Sequence, residues 1–303
     1  MIARLKRREF ITLIGGVVAA WPLAARAQQA GIPVIGVLFS RGPSDTPRLL
    51  AAFRQGLKDT GFIEGQNVAI EYRFASNQHE RLPALATDLA NRQVTVITAL
   101  TTAAALAAKS ATTSIPIVFE GAVDPVRLGL VASLNRPGGN VTGVTSLNLE
   151  VAPKRLELLH EVVPAASAIA LLVNPTNPAV AEPESKNALS AAHSFGLKLD
   201  VLNASTVRDF DGVFAQLVQL RTGGLVIGSD SFFTARQEQL AALAARHGVP
   251  AVFENREFVA AGGLMSYGGS LPDAYRLAGA IRRTREGRDS TLDFEGAWPR
   301  STR

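Results

Sequence analysis

Pro33-Val34-Ile35-Gly36-Val37-Leu38-Phe39 is followed by Thr46-Pro47, then by Leu50, Phe53 and Leu57, with Gly61 closing the series. A nearly uninterrupted apolar run of this length suits a strand covered on both faces, as in the middle of a parallel sheet. Threonine ahead of proline is a helix start signal, and apolar residues three and four apart place one stripe against the strand. Glycine then supplies the residue at which the helix can stop. The unit reads as strand, then helix. It continues with a strand at 68–73, a helix at 81–91, a strand at 94–98, an alanine-rich helix at 102–110 and a strand at 115–119. Alternation without consecutive hairpins implies a parallel sheet with helices on both faces.

The pattern breaks at Asn135-Arg136-Pro137-Gly138-Gly139-Asn140 and resumes with a strand at 141–145. Helices are then expected at 153–162, 181–195, 207–221 and 233–247. The strands between and after them fall at 168–173, 198–202, 225–227, 249–253 and 264–267. The fold class is therefore α/β: two doubly wound parallel-sheet lobes joined by a hinge. The first lobe spans 28–147 and is completed by 268–281, and the second spans 148–267. A basic tail of different character occupies 282–303.

The composition narrows the function. A chain of 303 residues that is 47% hydrophobic and 19% charged is globular, with room for two domains. The absence of cysteine excludes disulfides, thiolate nucleophiles and cysteine-ligated metals. The net charge of +5 is concentrated at the ends: +4 in residues 1–27 and +2 in residues 282–303, leaving −1 for the body. A nearly neutral body argues against a nucleic-acid partner. His79, His160, His193 and His247 fall on separate helices or their starts, so no metal site is expected. No phosphate-binding loop or G-x-S-x-G elbow occurs, and neither a cofactor nor a catalytic residue is assigned.

Residues 1–27 read as an export signal. Arg7-Arg8-Glu9-Phe10-Ile11 precedes an apolar segment to Ala20, Trp21-Pro22 breaks it, and Ala25-Arg26-Ala27 provides a cleavage site. The paired arginines resemble the twin-arginine signal. The mature chain is thus expected in the periplasm, cut near Ala27.

In open parallel sheets, ligands bind beyond the carboxyl ends of the strands. The candidates are accordingly Ser40, Arg41, Thr101, Thr102, Asp124, Asn174, Ser229, Asp230, Glu254 and Tyr267. Thr101-Thr102 opens a helix, where backbone N–H groups can hold an anion or simply be capped. Arg41 can meet a ligand carboxylate, and Asp230 a ligand ammonium. Asp124 ahead of Pro125 serves equally as a helix cap, and the Asn174 amide equally as a turn former.

Several segments, in this order, resemble the ABC transporter substrate-binding proteins with a type I periplasmic-binding fold, the group that includes tryptophan- and aromatic-amino-acid-binding lipoproteins. They are Gly65-Gln66-Asn67-Val68, Ala122-Val123-Asp124-Pro125-Val126, Pro137-Gly138-Gly139-Asn140-Val141-Thr142-Gly143-Val144, Asn174-Pro175, and Gly262-Gly263-Leu264 with Tyr267-Gly268. The resemblance implies a monomeric receptor outside the cytoplasmic membrane that hands a small molecule to an ABC permease. It favours an aromatic amino acid, while branched amino acids, other organic acids and sugars stay open. The alternatives are an exported α/β enzyme, or a ligand-sensing receptor using the same cleft. Relatives continue past 280 with a further strand and helix. Arg282-Arg283-Thr284-Arg285-Glu286-Gly287-Arg288 and the residues up to Arg303 lack that pattern, so a truncated or out-of-frame tail is expected.

Overall fold

The run that opens the chain's first unit is strand β1 (Val34–Phe39), and it pairs in parallel with β2 (Ala69–Phe74) on one side and β3 (Val96–Leu100) on the other. β4 (Ile117–Gly121) and β5 (Val141–Thr145) complete a sheet in the order β2-β1-β3-β4-β5. A second parallel sheet contains β6 (Ala168–Val173), β7 (Lys198–Asn203), β8 (Leu225–Ile227), β9 (Ala251–Phe253) and β10 (Met265–Ser266), in the order β10-β9-β8-β6-β7. Counted along the chain, both sheets have the same order, 2-1-3-4-5. The architecture is α/β with two doubly wound lobes. The computed structural model describes residues 32–280 and the backbone of two short paired strands, Arg282–Arg283 and Leu292–Asp293. The expected export signal at 1–27 lies outside the described residues, as does most of the tail at 282–303.

Alternation within each strand explains the layers, since successive side chains face opposite sides. Ile35, Val37 and Phe39 of β1 pack with Phe53 and Leu57 of helix α1 (Pro47–Asp59). Leu38 packs the other way, with Leu89 of α2 (Leu82–Asn91) and Ala105 of α3 (Thr102–Ala111). In the second lobe, Ile169 and Leu171 of β6 meet Leu156 of α4 (Ala152–Val162) and Ala188 of α5 (Pro178–Ser194). Ala170 and Leu172 face α6 (Asp209–Gln219), α7 (Ser231–Ala235) and α8 (Gln237–Arg246). A short α9 (Arg256–Ala260) follows β9.

After β10 the chain returns to the first lobe as α10 (Leu271–Gly279). Tyr275 is fully buried beside Phe39 and Phe53, and its hydroxyl donates to Leu100 O at 3.0 Å. The α1–α10 crossing depends on two glycines. A Cβ on Gly56 would stand 1.9 Å from Arg276 O, and one on Gly279 would stand 2.2 Å from Phe53 O. The two segments between the lobes, 146–151 and 267–270, are tied where Gly269 N donates to the buried Asn148 Oδ1 at 3.0 Å. Leu147 beside it has φ 49°, a left-handed conformation a branched side chain resists.

Several local expectations are corrected. Helix α5 starts at Pro178, before the expected 181, because a proline in the first turn lacks only an N–H that would have no partner there. The helix expected over 233–247 is two helices meeting at Arg236. Asp124 caps no helix: its Oδ1 accepts from Val126 N at 2.8 Å in a turn. Thr46 precedes α1, but its hydroxyl donates back to Gly42 O and Pro43 O instead of accepting from the helix.

Gly56→Ala should therefore lower stability by about 1–3 kcal/mol, the usual cost of overpacking. Gly212→Ala, within α6 and with open space where its Cβ would stand, should raise it by about 0.5–1 kcal/mol. Denaturant unfolding of both variants checks the crossing. A neutral Gly56→Ala would contradict it.

Candidate functional site

Strand order places the site. The switch point of each sheet lies where neighbouring crossovers leave in opposite directions, between β1 and β3 and between β6 and β8. Arg41 follows β1, Thr101-Thr102 joins β3 to α3, Ser229-Asp230 follows β8, and Glu254 follows β9. These residues come from both lobes and line one pocket of about 430 Å³, counting the part open to solvent. Glu120 at the end of β4 and Asn148 of the connecting segment line it as well.

On the first lobe's wall, Ser40 Oγ and Thr101 Oγ1 share a hydrogen bond of 2.6 Å, and Thr101 Oγ1 accepts from Ala104 N at 3.2 Å. Thr102 Oγ1 accepts from Ala122 N at 3.2 Å, tying the start of α3 to the segment after β4. The first N–H groups of a helix have no internal partners, so this corner suits an anion. Arg41 is buried, and its Nε has no partner among the described residues.

The second lobe's wall rests on a fully buried ion pair. Arg155 Nη2 of α4 meets Glu184 Oε1 of α5 at 3.0 Å and Ser229 Oγ at 3.1 Å. Both Glu184 oxygens also accept from Ser229 N, at 3.1 and 2.9 Å. Gly228 beside it admits no side chain: a Cβ would stand 2.6 Å from Leu172 O and 2.8 Å from Glu184 Oε2. Asp230 is held by three donors, with Oδ1 accepting from Asn174 Nδ2 at 3.0 Å and Phe232 N at 2.8 Å, and Oδ2 from Asn177 Nδ2 at 2.8 Å. Glu254 is buried, and its Oε2 has no partner among the described residues.

Burial pushes the Glu120 carboxyl up to about 7; Glu254 adds to this and Arg41 opposes it. Burial likewise raises Glu184 to about 7, with Arg155 and the Ser229 N–H pulling the other way. Across the mouth of the cleft, Arg236 Nη1 meets Asp45 Oδ1 at 3.1 Å, and Arg48 Nη2 meets Glu257 Oε1 at 3.2 Å. Each pair joins one lobe to the other.

Of the ten residues expected at the site, Arg41, Thr101, Thr102, Ser229, Asp230 and Glu254 line this pocket. Ser40 sits behind Thr101, and Asn174 behind Asp230. Asp124 and Tyr267 are outside the lining, and Tyr267 is exposed with only its backbone O facing Arg155 Nη1 at 3.4 Å. Glu120, Asn148, Asn177 and Leu271 were not among the ten. The strand-end rule does reach Glu120, at the end of β4, whereas Asn148 and Leu271 come from connecting segments no periodicity marks.

Residues 44–278 match the ABC transporter substrate binding protein family. The chain belongs to that family. Its members are binding proteins. A tyrosine-binding protein of Clostridioides difficile (strain R20291) is 29% identical over 220 residues, covering 71% of this chain. The match spans 61% of that relative's own length. A conserved domain protein from Vibrio cholerae superposes with a TM-score of 0.73 at 23% identity, over 82% of this chain and 83% of the other. An ABC domain from Streptococcus pneumonia in complex with L-Trp gives 0.69 at 20% identity, with the same coverage. These two likenesses establish the type I periplasmic-binding fold.

The walls of the cleft can be tested directly. Arg155→Met should cost about 3–5 kcal/mol, because it strands a buried carboxylate, and Arg155→Met with Glu184→Met should cost less than the two single changes together. Glu120 holds its proton more tightly folded than unfolded, so its contribution is full below pH 4.5 and is lost as pH rises through about 7. Unliganded stability should fall by on the order of 3 kcal/mol between pH 5 and pH 8, and Glu120→Gln should flatten the slope. Urea titrations across that range measure it; a slope unchanged by Glu120→Gln would contradict the account.

Proposed function

We propose that this chain is the solute receptor of an ABC importer, capturing a small molecule of amino-acid type between its lobes and closing over it. One observation carries the reading: Arg41 on the first lobe and Glu254 on the second are both buried, carry polar atoms without partners among the described residues, and line the same pocket. Unpaired buried polar groups are costly, and a ligand that pairs them removes that cost only when the lobes are together. An amino acid suits the two walls: its carboxylate fits Arg41 and the start of α3, and its ammonium fits Glu120 and Glu254. The tyrosine-binding relative and the L-Trp complex support the same class.

The role is binding without covalent chemistry. Among the described residues, the hydroxyls of Thr101 and Ser229 are engaged by Ser40 and Arg155, neither of which is a base. The paired arginines at Arg7-Arg8 and the small residues to Ala27 support twin-arginine export to the periplasm and cleavage there. The working form is a monomer that presents its closed state to a permease. Its division is a first lobe from 28 to 147 completed by 268–281, with the second lobe between.

The test is thermal unfolding of the purified protein against pooled amino acids, amines, organic acids and sugars. A pool containing the ligand at about 100 times its Kd should stabilise by about 2.7 kcal/mol, a shift of a few degrees. Arg41→Ala should abolish the shift for any ligand that carries a carboxylate. A cooperative transition that no pool moves would sink the receptor reading. Once a ligand is known, Arg236→Ala should speed its dissociation a few-fold, because the Arg236–Asp45 pair spans the mouth yet is partly exposed and weak.

A further inference from the structure

We propose that the cleft selects a small aliphatic solute with surplus positive charge, of the basic amino acid or diamine class, and disfavours aromatic amino acids. This rests on the reading of the cleft as a solute site and names the ligand class within it. Glu120, Asp230 and Glu254 line the pocket against a single cation among the described residues, Arg41. With Arg41, Asp230 and Glu254 ionised the lining is one charge negative, Glu120 adds a second where it ionises, and among the described residues Arg41 makes no ion pair with any of them. A neutral zwitterion brings one charge of each sign and leaves the imbalance in place. A second cationic nitrogen offsets it.

The carboxylates differ in how far they are already satisfied. Asp230 accepts three hydrogen bonds from Asn174, Asn177 and Phe232 N, so it is a fixed part of the wall. Glu254 differs: the residue is only 6% exposed, its Oε2 lacks a partner among the described residues, and it faces the pocket. Glu120, 4% exposed, makes no side-chain hydrogen bond to another described residue. Two buried carboxyls on opposite lobes therefore look into one space. A buried, unpaired carboxylate is unfavourable unless a cation or donor reaches it. The raised carboxyl of Glu120 expresses that cost in the empty cleft.

Among the described residues no aromatic side chain lines the pocket; its apolar surface comes from Ala122, Val180 and Leu271. An aromatic ring would find neither a stacking partner nor an aromatic edge there. Three aliphatic side chains suit a short methylene stem between two polar ends, as in the snorkelling chains of lysine and arginine.

The experiment is calorimetric titration of the purified full chain with lysine, ornithine, arginine and putrescine, alongside tyrosine, tryptophan and leucine. The expected result is binding of at least one of the first four, with Kd at least tenfold lower than for any of the other three. Glu254→Gln and Glu120→Gln should each weaken that binding at least tenfold while keeping a cooperative thermal transition. Arg41→Gln should weaken a basic amino acid and spare a diamine, which separates the two members of the class. Tight binding of tyrosine, tryptophan or leucine with none by the cations overturns the ligand class and leaves the receptor reading standing. Cation binding unaffected by Glu254→Gln, with the variant folded, overturns the assigned contact. No binding by any of the seven overturns the class, and the pooled screen then decides whether the receptor reading falls with it.

Discussion

Arg155 lies fully buried between two helices and the end of a strand, and the cleft's second wall is built on it. Its guanidinium meets Glu184, Ser229 Oγ and the carbonyl of Tyr267, so α4, α5, β8 and the segment returning to the first lobe converge on one planar group. Arginine suits the position because its donors lie in a fixed fork, whereas a lysine would reach one acceptor at a time. The pair is not a large net source of stability, since taking both charges out of water offsets most of their attraction. Its contribution is register. Ser229 is fixed through both its N–H and its hydroxyl, Asp230 follows directly, and the wall has one arrangement.

Against that rigid wall, the first lobe is attached lightly. Two segments cross between the sheets, joined through Asn148 and carrying a left-handed Leu147, and two ion pairs span the mouth. Arg48 is mostly exposed, so its pair with Glu257 contributes little. Weak latches and a narrow connection suit a protein whose lobes must part and rejoin, with the solute supplying the contacts that hold them together. The family's binding role and the geometry agree on this division of labour: hydrophobic layers set each lobe, and polar groups at strand ends face across the gap.

Much of this was legible in the sequence. The run from Val34 to Phe39, the alternation after it and its restart at Val141 mark two parallel sheets, because a strand buried on both faces has few other ways to be apolar throughout. The strand-end rule then selected Arg41, Thr101, Thr102, Ser229, Asp230 and Glu254, all of which line the pocket. The same rule selected Asp124 and Tyr267, which do not, since it gives the end of the strand and not the direction of the side chain. Arg155 and Glu184 were passed over because charged helix residues usually face water. The available signal was their place on apolar stripes, with Arg155 between Ala152, Leu156 and Leu159, and Glu184 between Val180, Ala181 and Ala188. Asn148 and Leu271 depend on how one lobe meets the other, which no local pattern encodes.

The most direct measurement is a crystal structure of the protein with its tightest-binding solute. The account requires the solute between the lobes, with a cationic nitrogen at hydrogen-bond distance from Glu120 or Glu254 and at least one contact from each lobe. A solute held by one lobe alone, or seated in the groove between α5 and β7 lined by Val173, Leu189 and Val201, would contradict it.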